Sequence, residues 1–146
     1  MNQDLIITIF VSFWGVASMV LSAFIVRSLV KSNWNDPLKP FPPREPAAED
    51  GPADARGFQS FNVGMLNLGW SVRVVADRAY LHLSPEWLGK VLGLKSASVP
   101  WTEIGRGLPG GLAIGKRSGL KIGNTVFAGP AWIDRHREDL EAIKAG

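Results

Sequence analysis

Hydrophobic positions are most concentrated in one run near the N-terminus, residues 5–26, which contains no charged residue and no proline. As a helix, a run of about 22 residues rises roughly 33 Å, enough to cross a hydrocarbon core of about 30 Å. The run therefore predicts a transmembrane helix at residues 5–30, preceded by a short N-terminal tail at residues 1–4. A cleaved signal peptide and a buried core helix are the alternatives, but the run is long for the first and too uniformly apolar for the second.

Basic residues follow the apolar run, and none precedes it: Arg27, Lys31, Lys39 and Arg44. Because basic flanks stay in the cytoplasm, the N-terminus is predicted to lie outside the cell (inner or plasma) membrane and the rest of the chain in the cytoplasm. Arg27, Lys31 and Trp34 are predicted at the membrane interface, where cations meet anionic headgroups and indole rings are enriched.

Small residues within the run have the spacing of helix contacts in membranes. Ser18 and Ser22 form a small-xxx-small pair, with Gly15 nearby. Such spacing lets two helices approach closely, so a weak helix-mediated homodimer is one prediction. The alternative is that these residues have no such role, since small residues are common in membrane helices.

Residues 31–56 are polar and rich in proline, and they predict a juxtamembrane linker. Proline lacks a backbone N–H and disrupts helices, so an extended, semi-rigid segment is expected. Three apolar side chains in this segment could pack on the following domain or enter the membrane interface: Trp34, Leu38 and Phe41.

From residue 57 the pattern alternates between apolar and polar residues, as in β-strands with one buried face. A hairpin is predicted from Trp70 to Leu83, with Asp77 and Arg78 as its turn and Trp70, Val72 and Val74 on one face. Other strands are predicted at residues 57–65 (with a bulge), 96–100, 112–114, 120–122 and 125–128, with a bend at 101–104 and an amphipathic helix at 130–145. Residues 57–146 thus predict an α+β domain, mainly antiparallel β, closed by a C-terminal α-helix.

This element order resembles the pleckstrin-homology (PH) superfold, in which a C-terminal helix plugs an open sheet corner. Residues 74–83 (VVADRAYLHL) and 99–104 (VPWTEI) are similar to its bacterial and GRAM-like branches. Together with residues 34–42 (WNDPLKPFP) and 57–60 (GFQS), they resemble an uncharacterised family of small bacterial single-pass membrane proteins. The resemblance implies a PH/GRAM-like domain and carries no assigned chemistry.

Composition and charge exclude several classes of site. The net charge of +3 is too small to imply a nucleic-acid partner. The chain contains no cysteine, which excludes disulfides and thiolate chemistry, and two histidines are too few for a histidine-rich metal cluster. No cofactor, metal or nucleic acid is therefore predicted.

The two histidines are the first candidates for acid–base chemistry. As a general base, His82 would need an orienting partner, Asp77 or Glu103, and a pocket. His136 lies among charged residues of the predicted last helix. Both are predicted to be structural or solvated, because no set of acid, base and nucleophile is recognisable in the sequence.

Three glycines match the dinucleotide-binding fingerprint: Gly105, Gly107 and Gly110. That motif should follow a parallel strand and open a helix. Here it contains Pro109 and lies among predicted antiparallel hairpins, so nucleotide binding is not predicted.

Two surfaces are predicted as contacts. A basic hairpin tip could hold a phosphate headgroup, or could simply be solvated: Lys116, Arg117 and Lys121. Ser84-Pro85-Glu86 is typical of a helix start, and the apolar segment after it predicts a short helix with four apolar side chains: Trp87, Leu88, Val91 and Leu92. This helix could touch a membrane or a partner, or it could fold over a sheet edge.

The sequence as a whole favours recognition over catalysis. The first hypothesis is a non-enzymatic, membrane-anchored interaction module that binds a protein partner in a membrane complex. The alternative is a peripheral PH/GRAM-like domain that senses anionic lipid.

Overall fold

The structure, a computed structural model, describes residues 2–47, 54–108 and 117–146. It opens with a helix that runs without a break from Gln3 to Leu38. This helix comprises α1 (Gln3–Val30), a π-helical turn (Lys31–Asn35) and the short helix α2 (Asp36–Leu38). By length and composition it can cross a membrane, and its large apolar side chains from Leu5 to Ile25 are exposed, which is consistent with a single-pass protein.

The prediction of an extended linker from residue 31 is wrong in its first part, because residues 31–38 continue the helix. Pro37 lies in α2, and the helix continues by only one residue beyond it, to Leu38. In the π turn before it, the Asn33 side-chain amide donates to the Leu29 carbonyl at 3.0 Å. The π turn thus lies directly before the proline, in the turn whose ladder lacks the Pro37 N–H.

An antiparallel sheet curls into a near-barrel behind this helix. Its order is β4-β3-β2-β1-β7-β6-β5, so the edge strands β4 and β5 are consecutive in the chain and are joined by a 3-10 turn (Trp101–Glu103). The strands are β1 (Asp54–Val63), β2 (Leu66–Ala76), β3 (Tyr80–Pro85), β4 (Ala97–Pro100), β5 (Ile104–Arg106), β6 (Arg117–Ile122) and β7 (Thr125–Pro130). Helix α3 (Trp87–Leu92) lies between β3 and β4, and α4 (Trp132–Ala145) follows β7.

The predicted hairpin, first-strand bulge and closing helix are confirmed, whereas one residue of the predicted buried face is not. Register shifts in β1 follow Arg56 and Gln59, and β2 pairs antiparallel with β3. Val72 and Val74 are fully buried, but Trp70 is 75% exposed and has a positive φ of 53°, which turns its side chain away from their face. The predicted strand at residues 112–114 lies outside the described residues.

The core draws on the N-terminal helix as well as on the sheet. Trp34 is fully buried, and its ring meets Phe61 and Phe127 edge-on, with centroids 5.7 and 5.6 Å away. Its Nε1–H donates to the Lys95 carbonyl at 3.0 Å. The interface position predicted for Trp34 is therefore wrong, and the alternative of packing on the domain is confirmed. Val30 and Leu38 are buried in the same core, so the domain begins within the helix rather than at residue 57.

The chain after α2 runs along the outer edge of β4, and we call residues 39–44 the covering segment. The Ser98 N–H donates to the Phe41 carbonyl at 3.4 Å, and the Arg44 N–H donates to Ser98 Oγ at 2.7 Å. Since unpaired edge groups invite association with other chains, this segment protects the edge.

Candidate functional site

A buried polar network lies on the side of β3 and β4 that faces this covering segment. His82 Nε2 lies 2.8 Å from Asp77 Oδ2, and His82 Nδ1 lies 2.8 Å from Ser98 Oγ. The three residues are 4%, 5% and 3% exposed, in the order His82, Asp77 and Ser98. In the neutral tautomer with hydrogen on Nε2, the imidazole donates to the carboxylate and accepts from the hydroxyl. The orienting partner predicted for His82 is thus Asp77, and Ser98 completes the chain of hydrogen bonds.

The arrangement of acid, base and hydroxyl is that of a nucleophilic triad, but its surroundings favour a structural role. Ser98 Oγ already accepts the Arg44 N–H, so a substrate carbonyl could reach the hydroxyl only after the covering segment moved away. What the network does directly is fasten that segment to the sheet through one hydroxyl group.

Asp77 is the centre of the network. Its Oδ1 accepts the backbone N–H groups of Ala79 and Tyr80 at 2.8 and 2.6 Å, which closes the β2–β3 turn. Burial alone would raise the pKa of the Asp77 carboxyl, but these bonds and the one with His82 outweigh it and hold that pKa below its ordinary value. The ionised carboxylate therefore stabilises both the turn and the network.

Acid is expected to destabilise the domain through Asp77. Because its pKa is lowered by folding, the unfolded chain binds more protons below about pH 4; the stabilisation is present above that pH and is lost as the pH falls through the folded pKa. Asp77→Asn cannot titrate, so as the pH falls below about 4 the free energy of unfolding should decrease more steeply for wild type than for the variant. Denaturant unfolding in neutral detergent measures both slopes, and parallel curves would contradict the prediction.

The other polar site is a groove of about 670 Å³ at the C-terminal end of α1. Its walls are the last turn of α1 with the π turn and α2, the segment at residues 39–43, and α3 with the residues after it. We call it the cationic groove, because five basic residues line it: Arg27, Lys31, Lys39, Lys90 and Lys95. Its apolar lining includes Val30, Leu38, Phe41, Val91 and Leu92.

Among the residues that the structure describes, few acidic groups balance the positive charge of the cationic groove. Asp36 is the acidic residue of its lining. Within residues 2–47, 54–108 and 117–146, no carboxylate lies within 4.0 Å of any of the five basic groups. Cations around an apolar floor are suited to a ligand that carries a negative headgroup and a hydrophobic part.

Helix α3 is fixed firmly against the sheet and against the N-terminal helix. A Cβ on Gly89 would lie 2.6 Å from the Ser71 carbonyl, so the helix backbone touches β2. At its other end Gly93 has a φ of 85°, and the Asn35 amide donates to the Gly93 carbonyl at 3.0 Å. Of the predicted contact residues, Leu88 is half-buried and Trp87 is 67% exposed, so α3 packs on the sheet and still presents an apolar outer face.

The predicted basic hairpin tip is only partly described. Arg117 is half-buried and donates from Nη1 to the Ser60 carbonyl at 3.1 Å, so its guanidinium is engaged within the fold. Lys121 is exposed on β6, and Lys116 lies outside the described residues. Arg27 and Lys31, predicted at the membrane interface, both line the cationic groove.

The remaining candidates have structural surroundings. His136 on α4 stacks on Trp101, with ring centroids 5.8 Å apart, and its Nε2 lies 3.4 Å from the Asp77 carbonyl. Gly105 lies in β5, which pairs antiparallel with β6, and Gly107 donates its N–H to the Gly119 carbonyl. The described part of the glycine motif thus lies in and beside the antiparallel pair β5–β6 and not in a strand-to-helix turn.

The sequence does not mark three residues of these sites: Ser98 in the network, and Lys90 and Lys95 in the groove. Ser98 lies 16 residues from His82 in the chain, and the two lysines lie about 60 residues from Arg27 and Lys31, so no local motif connects them. Comparisons of the chain with protein-family models, curated proteins and solved structures find no match.

Proposed function

We propose that the chain is a single-pass membrane protein whose β domain binds anionic lipid headgroups in the cationic groove. The supporting observation is the convergence of five basic side chains beside the helix at the point where its apolar span ends. A lipid could enter this groove with its phosphate among the cations and its acyl chains still in the bilayer. The orientation predicted from the basic flanks places the domain at the cytoplasmic surface, where anionic lipids are concentrated.

The geometry along the helix fits such a ligand. Lys31 follows Arg27 by one turn, a rise of about 6 Å, which keeps both within the headgroup layer of a bilayer whose core ends near residue 26. Lys95 lies near Asn35, whose side chain accepts the Lys95 N–H at 2.9 Å. Since Asn35 is roughly 12 Å beyond Arg27, the groove extends from the headgroup layer into the domain.

The charge of the groove is sufficient to select anionic over zwitterionic lipids. Each basic group near an anionic surface contributes about 1 kcal/mol. Any three of the five groups together therefore favour an anionic lipid by up to about 100-fold. The apolar floor adds contact with the glycerol and upper acyl region.

Native mass spectrometry of the full chain tests the proposal. The chain is released from nanodiscs that contain equal amounts of phosphatidylglycerol and phosphatidylcholine, and each retained lipid is counted. Wild type is expected to retain phosphatidylglycerol preferentially. Lys31→Gln/Lys90→Gln/Lys95→Gln should reduce that preference by roughly 10- to 100-fold, from the loss of three cations.

A matched variant removes three exposed cations that do not line the groove: Arg73→Gln/Arg78→Gln/Arg135→Gln. It has the same net charge as the groove variant and should keep the wild-type preference. Equal retention of both lipids by wild type, or the same loss in both variants, would reject the proposal. If the chain shows no lipid preference and instead co-purifies from native membranes with a second protein in stoichiometric amount, the protein-partner hypothesis is favoured.

We further propose that the domain is PH-like. Its described strands are antiparallel and are followed by a helix, α4, that packs Trp132 and Ile133 into the core. This order agrees with the PH superfold. Its distinctive feature is the N-terminal helix, which supplies Trp34 to the same core.

A further inference from the structure

Three aromatic side chains outside the membrane-spanning segment are largely exposed: Phe58 (59%), Trp70 (75%) and Trp87 (67%). A soluble surface rarely exposes aromatic rings together, because each forgoes the burial of a large apolar area. We call these three residues the aromatic patch.

The local contacts bring the patch together around the start of α3. The Glu86 N–H donates to the Ser71 carbonyl at 2.8 Å, which places Trp87 beside the strand residue that follows Trp70. On β1, a Cβ on Gly57 would lie 3.1 Å from Glu86 Oε1, which places Phe58 beside the same turn.

The backbone at the patch is held in an unfavourable conformation. Phe58 and Trp70 have φ angles of 51° and 53°. Among the residues that the structure describes, no other non-glycine residue has a positive φ. The left-handed region is costly for bulky residues, and such strain is concentrated at functional sites. At Trp70 the positive φ directs the indole outward, whereas Val72, two residues further along β2, is fully buried.

The patch lies on the side of the domain nearest the membrane-spanning segment. Helix α3 contacts α1, and its C-terminal end is bonded to Asn35, beyond the end of α1. Because α1 ends at Val30, its contacts with α3 lie on the span side of Asn35, so α3 extends from Asn35 back toward the span. Its N-terminal residue, Trp87, therefore lies toward the span, together with the two aromatic residues beside it.

We propose that the aromatic patch is a second membrane contact, which inserts into the boundary between headgroups and acyl chains beside α1. The occupant is the bilayer itself, because α3, which carries Trp87, contacts the helix that spans it. Aromatic side chains are enriched at this depth, where the ring is shielded and the indole N–H still reaches water. Two contacts, helix and patch, fix the rotation of the domain and thereby aim the mouth of the cationic groove at the lipid surface. The proposal rests on the membrane-spanning helix and is independent of lipid charge.

Labelling of single cysteines in the full chain tests this contact. The natural chain has no cysteine, so Trp70→Cys and Trp87→Cys each create one attachment point for an environment-sensitive fluorophore. Arg78→Cys, exposed in the turn that follows β2, is the matched control. The labelled chains are reconstituted into zwitterionic vesicles that contain a lipid with a shallow nitroxide quencher.

Quenching by the lipid nitroxide is expected to be several-fold stronger at positions 70 and 87 than at position 78. Equal, weak quenching at all three positions would overturn the proposal. So would a label at position 70 that is shielded from water and from the lipid quencher, because that label would lie against a protein surface.

A second set of variants separates this proposal from lipid selectivity. With the label at Phe58→Cys, Trp70→Ser/Trp87→Ser should lower quenching toward the position-78 value. Unchanged quenching would count against the patch as the contact. Removal of the groove lysines should leave quenching intact in zwitterionic vesicles, so either proposal can fail alone.

Discussion

Replacing Trp34 with alanine is expected to destabilise the domain by about 3–5 kcal/mol, as for other fully buried large aromatic residues. The substitution removes two edge-on ring contacts, with Phe61 and Phe127, and leaves a cavity in the centre of the barrel. It also removes the donor to the Lys95 carbonyl. Denaturant unfolding of the full chain in neutral detergent, followed by far-UV circular dichroism, measures the change.

Trp34→Phe is the matched control, because it keeps an aromatic ring and loses only the second ring and the hydrogen bond. Its cost should be clearly smaller than that of alanine. A loss below about 1 kcal/mol for Trp34→Ala would contradict the core position and would fit a residue at a solvated interface.

A chain that begins at residue 57 is expected not to fold. It lacks three buried side chains of the core, Val30, Trp34 and Leu38, and the partly buried Val26 and Leu29. At about 1.5–3 kcal/mol for each buried side chain, the loss is on the order of 10 kcal/mol. That is comparable with the whole stability of an ordinary domain.

A chain that begins at residue 22 is the corresponding control, since it keeps this core segment and drops most of the apolar run. It should show cooperative unfolding and dispersed amide resonances, whereas the shorter chain should show neither. A folded, cooperative domain from residue 57 would contradict the assignment of the helix end to the core.

The sequence by itself determined the elements whose physical cause is local. The apolar run is long enough for a span whatever surrounds it, since its length and lack of charge are properties of consecutive residues. Alternation from Val72 to Leu83 specifies the β2–β3 hairpin in the same way. For His82 the sequence offered two partners, Asp77 and Glu103, and the structure selects Asp77, which lies in the short turn before β3.

Tertiary structure alone decided how the elements meet. Lys90 and Lys95 line the same groove as Arg27 and Lys31 because α3 packs beside the N-terminal helix, a contact between segments about 60 residues apart in the chain. The helix passes Pro37 because burial of Trp34 and Leu38 outweighs the local preference to end it. Trp70 departs from its alternating face because a bulge and a positive φ reverse one side chain without changing the sequence pattern. In each case the deciding free energy comes from contacts between distant segments, which no window of neighbouring residues contains.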